Sequence, residues 1–410
     1  MKILYLHQYF KKPTENGGTR SYDLATSFVK NGFEVEVITT TSNIQGFNGK
    51  KWMSEIVDGV IVNYLYLPYD NSFSFIRRAW VFFLFLWYSS VKVLTLKGDI
   101  VLATSTPLTI GIPALIKKLI HKTPYIFEVR DVWPEAVIAI GAIKNKMMQK
   151  LLYWLEYTLY KNAKFVVPLS TDMQKSILTR YPILENKVQV VIENISEIER
   201  FASCIEDKSN KNDFLQNTIG FIPKCSILYA GTFGKVNQIE YVLDLAKKIL
   251  PLDASIVFLL LGTGAEKENL INQAINLGVF KKNVFFLDPV GKKDLPHIYK
   301  NVSMGSSFVA PLEELWANSA NKFFDTLAAG KPILINHFGW QSEVISEYKL
   351  GYVLDPVLDH VKVQDFISFI LNENQMEQYG ANARKVAADN YSLQVAVKKY
   401  INLLNQAIKN

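Results

Sequence analysis

The pattern of the chain starts twice. Residues 2–6 and 35–40 have the apolar, β-branched make-up of strands. Between them lie the loop Lys11-Lys-Pro-Thr-Glu-Asn-Gly-Gly-Thr-Arg20 and a helical run from Ser21 to about Asn31. Strands at 99–103, 125–129 and 164–169, with helices at about 107–120 and 145–161, extend this unit. A polar stretch follows at 196–222, and then strand (226–230), loop (Gly231-Thr-Phe-Gly-Lys235) and helix (239–250) begin again. Strands at 255–261, 284–287 and near 306–310, the loop Gly262-Thr-Gly264 and a helix at 265–277 complete the second half. Two successive α/β halves predict two doubly wound domains, 1–195 and 223–392, joined by a connection at 196–222. With 410 residues, 49% of them hydrophobic, the chain can bury two cores.

Doubly wound sheets bind ligands outside the carboxyl ends of their strands, which orders the candidate residues. His7 ends the first strand, as a site residue or a plain strand cap. Gly17-Gly18 sits at the first helix entrance, either a turn or a ligand-admitting loop; it is not G-x-G-x-x-G, so no nicotinamide site is expected. Arg130, Asp131 and Glu135 follow the strand 125–129 in Phe127-Glu-Val-Arg-Asp-Val-Trp-Pro-Glu135, as site groups or as ordinary ion pairs and caps. Gly231, Thr232 and Gly234 precede a helix and can offer backbone amides to a phosphate, with Lys235 either adding charge or standing in solvent.

The densest candidate stretch is Asn318-Ser-Ala-Asn-Lys-Phe-Phe-Asp-Thr-Leu-Ala-Ala-Gly-Lys-Pro-Ile-Leu-Ile-Asn336. Ser319 is the expected N-cap and Gly330 the helix stop, while Phe323, Phe324, Leu327 and Ala328 form one apolar face. Ile333–Ile335 is a short buried strand. Lys322 and Asp325 project from the same side of the first two turns. A helix start favours a phosphate, Lys322 adds a full charge for a diphosphate, and Asp325 can accept hydrogen bonds from a ribose diol. A surface salt bridge is the alternative.

Other chemistries lack their signatures. Cys204 and Cys225 make neither a metal pattern nor a disulfide framework, which fits a reducing cytoplasm. His7, His121, His297, His337 and His360 show no metal or triad spacing, and no Gly-x-Ser-x-Gly or P-loop is present. The start, Met-Lys-Ile-Leu-Tyr-Leu-His, lacks the apolar core and cleavage site of a signal peptide.

The net charge of +7 falls entirely in residues 1–200, and 76–125 holds seven basic residues (Arg77, Arg78, Lys92, Lys97, Lys117, Lys118, Lys122) against Asp99 alone. Beside them runs Trp80-Val-Phe-Phe-Leu-Phe-Leu-Trp-Tyr88, too short and too interrupted for a membrane span. Basic and aromatic residues together suit a helix lying in a membrane interface, with its inner face buried in the first domain. No nucleic-acid module accompanies the charge.

The Gly-Gly loop, Arg130-Asp-Val-Trp-Pro-Glu135, Gly231-Thr-Phe-Gly234 and Asn321-Lys-Phe-Phe-Asp-Thr-Leu-Ala-Ala-Gly-Lys-Pro332, in that order, resemble family 4 glycosyltransferases. More narrowly they are similar to the bacterial branch that adds amino sugars to lipid-linked O-antigen or capsule intermediates. The resemblance covers essentially the whole chain. It implies a GT-B fold, two Rossmann-like domains facing a cleft, the acceptor on the first and the nucleotide sugar, a UDP-sugar, on the second. It also implies that a last helix, about 393–408, returns to the first domain. The family's donor-holding Glu-x7-Glu motif places its second acid at Asp325 and its first at Ala317, so one sugar contact is missing and Trp316, Ala317 and Asn318 would substitute. Arg130 stands where many members carry a histidine.

The implied reaction retains anomeric configuration and needs no metal or other cofactor. The departing diphosphate would take the acceptor's proton, stabilised by Lys322, Lys235 and amides near Gly234, Ser319, Ala320 and Asn321. Asp131 and Glu135 would orient the acceptor. A polyprenyl-diphosphate acceptor would give the region 76–125 a place on the inner face of the plasma membrane. Two rivals remain: a sugar-nucleotide epimerase, which needs an acid and a base but no acceptor, and a non-catalytic nucleotide-sugar binder, favoured by Ala317 alone.

Overall fold

The computed structural model describes every residue except 16, 44, 48, 69–72, 74, 106, 203–210 and 410, and leaves the side chains of 75, 76, 78, 79, 211–213 and 409 undescribed. Arg78 and Cys204 therefore lie outside the described side chains. The chain divides into two units: Met1–Lys12, Gly18–Glu193 and Ala396–Asn410 form the first, Pro13–Gly17 and Asn194–Val395 the second.

The first unit is built on seven strands: β1 (Lys2–Leu6), β2 (Glu34–Thr41), β3 (Trp52–Val57), β4 (Val60–Tyr66), β5 (Ile100–Thr104), β6 (Tyr125–Val129) and β7 (Phe165–Pro168), in the order β3-β4-β2-β1-β5-β6-β7. All pairs are parallel except β3 with β4. The central strands carry continuous apolar runs because both faces are covered; Ile3–Leu6 and Tyr125–Phe127 have no exposed surface. The chain leaves β1 toward β2 on one side and returns to β5 on the other, so the order reverses between β1 and β5. The β3–β4 hairpin turns at Asp58-Gly59, both with positive φ, the conformation that a two-residue hairpin requires.

The second unit repeats the plan with six parallel strands: β8 (Cys225–Ala230), β9 (Ile256–Leu261), β10 (Val284–Leu287), β11 (Met304–Ser307), β12 (Ile333–Ile335) and β13 (Gly351–Val353), in the order β10-β9-β8-β11-β12-β13. Its reversal point lies between β8 and β11. β11 begins earlier than the expected strand near 306–310: Val309 instead turns over the sheet edge, held by Asn336, whose side chain accepts from its amide and donates to its carbonyl.

The connection differs from the expected one. The division falls between Glu193 and Asn194, and the polar composition of 196–222 conceals buried residues of the second unit, Phe201 (0% exposed) and Leu215 (6%). The last helix, Leu393–Lys409, passes into the first unit at Ala396.

The region 76–125 is also less basic at its surface than in sequence. In the helix Phe75–Thr95, Val81, Phe85 and Val93 are buried, while Trp80, Phe83, Trp87 and Val91 are each at least half exposed. In the helix Gly111–His121, however, Lys117 donates to the Leu96 carbonyl and Lys118 to that of Asn162, partial burial lowering both ammonium pKa values. Arg77, Lys97 and Lys122 remain exposed. No helix among the described residues is long and apolar enough to cross a membrane.

Candidate functional site

In the second unit the glycine loops after β8 and β9 run back to back. Gly231 N donates to Leu261 O and Phe233 N to Thr263 O, each at 2.9 Å. A Cβ on Gly262 (φ +151°) would stand 1.9 Å from Gly231 O, and one on Gly264 2.2 Å from Phe233 O. Only hydrogen atoms fit between these loops, which is the physical reason for the glycines. The contact consumes one of the amides expected to face a phosphate, that of Gly231. Those of Thr232 and Gly234 donate to no protein acceptor among the described residues.

Lys322 closes over this loop. It is the second residue of the helix Asn321–Ala328, which follows β11 and so starts beside the reversal point of the sheet. Its Nζ lies 4.7 Å from the centre of the Tyr229 ring and donates to Asn237 Oδ1 at 3.1 Å. Asn237 and Tyr229 each donate in turn to the Thr232 carbonyl. A Cβ on Gly231 would come within 3.2 Å of Lys322 Cε. No carboxylate pairs with Lys322 among the described residues, and burial pulls its pKa down to about 8. A half-buried cation with no counter-charge, beside unused amides at a sheet reversal point, is equipped to hold an anion.

The rest of that stretch departs from expectation. Ser319 is not the N-cap: the cap is Ala320, and Ser319 Oγ accepts from Asn194 N while Asn318 Oδ1 accepts from Ala320 N. Asn321 Oδ1 accepts from the Asn194 side chain. Gly330 does end the helix, with φ +64°. Asp325, 4% exposed, is already paired: Lys292 Nζ contacts its carboxylate and stands 3.8 Å from Glu197, which pairs with Arg200. A ribose would share Asp325 with this lysine. Lys292 had no signal in the sequence, being 33 residues away in a polar loop. Ala317 is buried, and Trp316 packs edge-on to Phe338, its indole N–H without a partner among the described residues. Lys235 is exposed at the start of the three-residue turn Lys235–Asn237, whose last residue accepts from Lys322.

In the first unit the carboxyl ends of β1, β5 and β6 bring His7, Ser105 and Arg130 together. Arg130 N donates to Ser105 Oγ at 2.9 Å, and its guanidinium lies 3.3 Å from His7 Nε2. Burial first, and Arg130 second, keep the His7 pKa well below its ordinary value. Asp131 is half-buried at the following turn. Glu135 has an ordinary partner set, an ion pair with Arg180 and a hydrogen bond from Ser176 at 2.6 Å. The expected Gly17-Gly18 pair is split, since Pro13–Gly17 belongs to the second unit, where Lys293 N donates to Pro13 O.

Beneath His7, Arg20 holds Glu128 through Nε (3.0 Å) and Nη2 (2.9 Å), and Tyr400 donates to the same carboxylate. Burial alone would raise the Glu128 pKa; Arg20, helped by Arg130, holds it below the usual value. Arg20 also donates to the carbonyls of Ile192 and Glu193, so this buried ion pair fixes the end of the first unit and its returning helix. Among the described residues no group of three His, Cys, Asp or Glu is arranged to hold a metal.

The family model described as Glycosyltransferase Family 4 matches residues 17–192, and that described as Glycosyl transferases group 1 matches 223–386. Both halves of the chain are thereby assigned, in the order of the two units, and the chain belongs to the family 4-like glycosyltransferases of the GT-B fold.

Among its relatives is the "Probable glycosyltransferase WbjE" of Pseudomonas aeruginosa, 27% identical over 81% of each chain. The "Spore coat protein SA" of Bacillus subtilis is 23% identical over 60% of this chain and 65% of its own length, so the match spans slightly less than two thirds of that protein. Solved structures of the same fold include sucrose-phosphate synthase of Thermosynechococcus elongatus (TM-score 0.74, 13% identity, 99% and 98% of the two chains). Anabaena Alr3699/HepE in complex with UDP-glucose matches with TM-score 0.72 and 14% identity over 99% and 100%.

Proposed function

We propose that the protein is a retaining glycosyltransferase that moves an N-acetylamino sugar from a UDP-sugar to a polyprenyl-diphosphate-linked sugar in bacterial surface-polysaccharide synthesis. The observation that carries the donor side is Lys322: a cation with no carboxylate partner among the described residues, over the glycine loop at the reversal point of the second sheet. Support for UDP comes from the Anabaena HepE complexes, and for the polysaccharide setting from the matched structure of WaaG, a glycosyltransferase involved in lipopolysaccharide biosynthesis (TM-score 0.66, 14% identity).

In this reading Lys322 and the Thr232 and Gly234 amides stabilise the charge that grows on the departing diphosphate, so no metal is needed. The leaving oxygen takes the proton of the acceptor hydroxyl, and Asp131 orients that hydroxyl. Asp325, held by Lys292, accepts one ribose hydroxyl. The acceptor's lipid places the enzyme on the inner face of the plasma membrane. Trp80, Phe83, Trp87 and Val91 support this, together with Met147, Leu151 and Trp154, an exposed apolar stripe among exposed Lys144, Lys146 and Lys150. The helices carrying these stripes both pack on Gly111–His121.

The reading is tested by nucleoside-diphosphate release from UDP- and GDP-sugars, with and without a lipid-diphosphate-sugar acceptor in detergent, before and after chelation. Release that needs one UDP-sugar and the acceptor, and survives chelation, agrees with it. Conversion of a donor without acceptor would make the protein an epimerase, and binding without turnover a nucleotide-sugar sensor.

A further inference from the structure

The other buried or half-buried arginines of the first unit have carboxylates: Arg20 pairs with Glu128, and Arg180 with Glu135 and Glu156. Arg130 makes no ion pair among the described residues; its charge acts on Glu128, which Arg20 already holds, and its guanidinium contacts His7 Nε2. A guanidinium can only donate, so Nε2 accepts and the imidazole proton sits on Nδ1. That Nδ1 is buried and has no partner among the described residues, and neither has the side-chain oxygen of the adjacent Gln8. Three groups thus converge just beyond the carboxyl ends of β1, β5 and β6, on the side of the sheet reversal: a neutral histidine, the Ser105 hydroxyl, and an arginine with most of its donors unused. Two arginines, Arg20 and Arg130, thus act on the single carboxylate of Glu128, which leaves one positive charge over, and the fork of a guanidinium matches two phosphate oxygens.

We propose that Arg130, with Ser105 and His7, forms a phosphoryl-binding site of the first unit, and that its ligand is the phosphoryl end of the acceptor. This rests on the transferase reading for the identity of the ligand, not for the existence of the site.

The test is calorimetric titration of the full chain, saturated with UDP, with inorganic pyrophosphate and then geranyl diphosphate. The expected result is binding of both by the wild type, weakened at least tenfold by Arg130→Gln and partly kept by Arg130→Lys, with UDP affinity unchanged in both variants. Arg130→Lys carries the test should Arg130→Gln not fold. The proposal is overturned if the UDP-saturated wild type binds neither probe, or if the variants bind them as well as wild type. Equal weakening of UDP overturns it too, since Arg130 would then serve the donor. Pyrophosphate binding that depends on Arg130 in a protein with no affinity for UDP would uphold the site and remove the transferase reading.

Discussion

On the proposed function, Lys322 should make donor binding dependent on pH in a defined direction. In the unliganded protein burial lowers its pKa to about 8. Beside a diphosphate the ammonium is stabilised, so the complex keeps a proton that the unliganded protein loses as pH rises. The phosphate's own ionisation, near pKa 6, is complete below this window. Affinity for UDP should therefore change little between about pH 7 and 7.5 and then weaken, by roughly tenfold between pH 7 and pH 9, as expected for a single group of pKa about 8. At pH 8 binding should take up about half a proton, measurable by calorimetry in buffers of different ionisation enthalpy. Lys322→Arg, whose guanidinium does not titrate below pH 12, should bind UDP with no such slope. A flat wild-type profile from pH 7 to 9.5, or the same slope in Lys322→Arg, would refute the reasoning.

Lys292→Met strands the buried Asp325 carboxylate and should cost about 3–5 kcal/mol, a melting-temperature loss of the order of 10 °C by calorimetry, largely recovered in Lys292→Met/Asp325→Leu. An unchanged melting temperature would mean the pair does not form. Gly262→Ala has no room for its methyl group against Gly231 O; it should push the two glycine loops apart and weaken UDP binding, and tight binding by this variant would contradict the back-to-back packing. Replacing the exposed Trp80 and Trp87 by serine should leave the melting temperature nearly unchanged while reducing binding to anionic lipid vesicles in flotation assays, since each large apolar side chain buried contributes up to about 1.5–3 kcal/mol.

The elements with strong periodicity were legible. Ile333–Ile335, Val284–Leu287 and the helix Arg20–Lys30 lie where apolar spacing puts them, because each is buried on a regular face. The Asp58-Gly59 hairpin carried a signal in its dipeptide, but strands of mixed polarity around it hid the elements that it joins. Composition misled at 196–222, where Phe201 anchors a polar-looking segment, and at Lys117 and Lys118, whose ammonium groups cap carbonyls instead of facing solvent. In the candidate site, the place of Lys322 in the first turn of its helix was legible from local sequence. The Lys292–Asp325 pair and the His7–Ser105–Arg130 cluster were not, because tertiary contacts over long separations have no local pattern.

The most direct test of the central claim is acceptor-dependent release of UDP from a panel of UDP-sugars by wild-type protein and Lys322→Ala. The account predicts release that requires both substrates, with turnover in the variant falling by more than the donor's Michaelis constant rises. Release by wild type in the absence of any acceptor, or an unchanged turnover in Lys322→Ala, would contradict it.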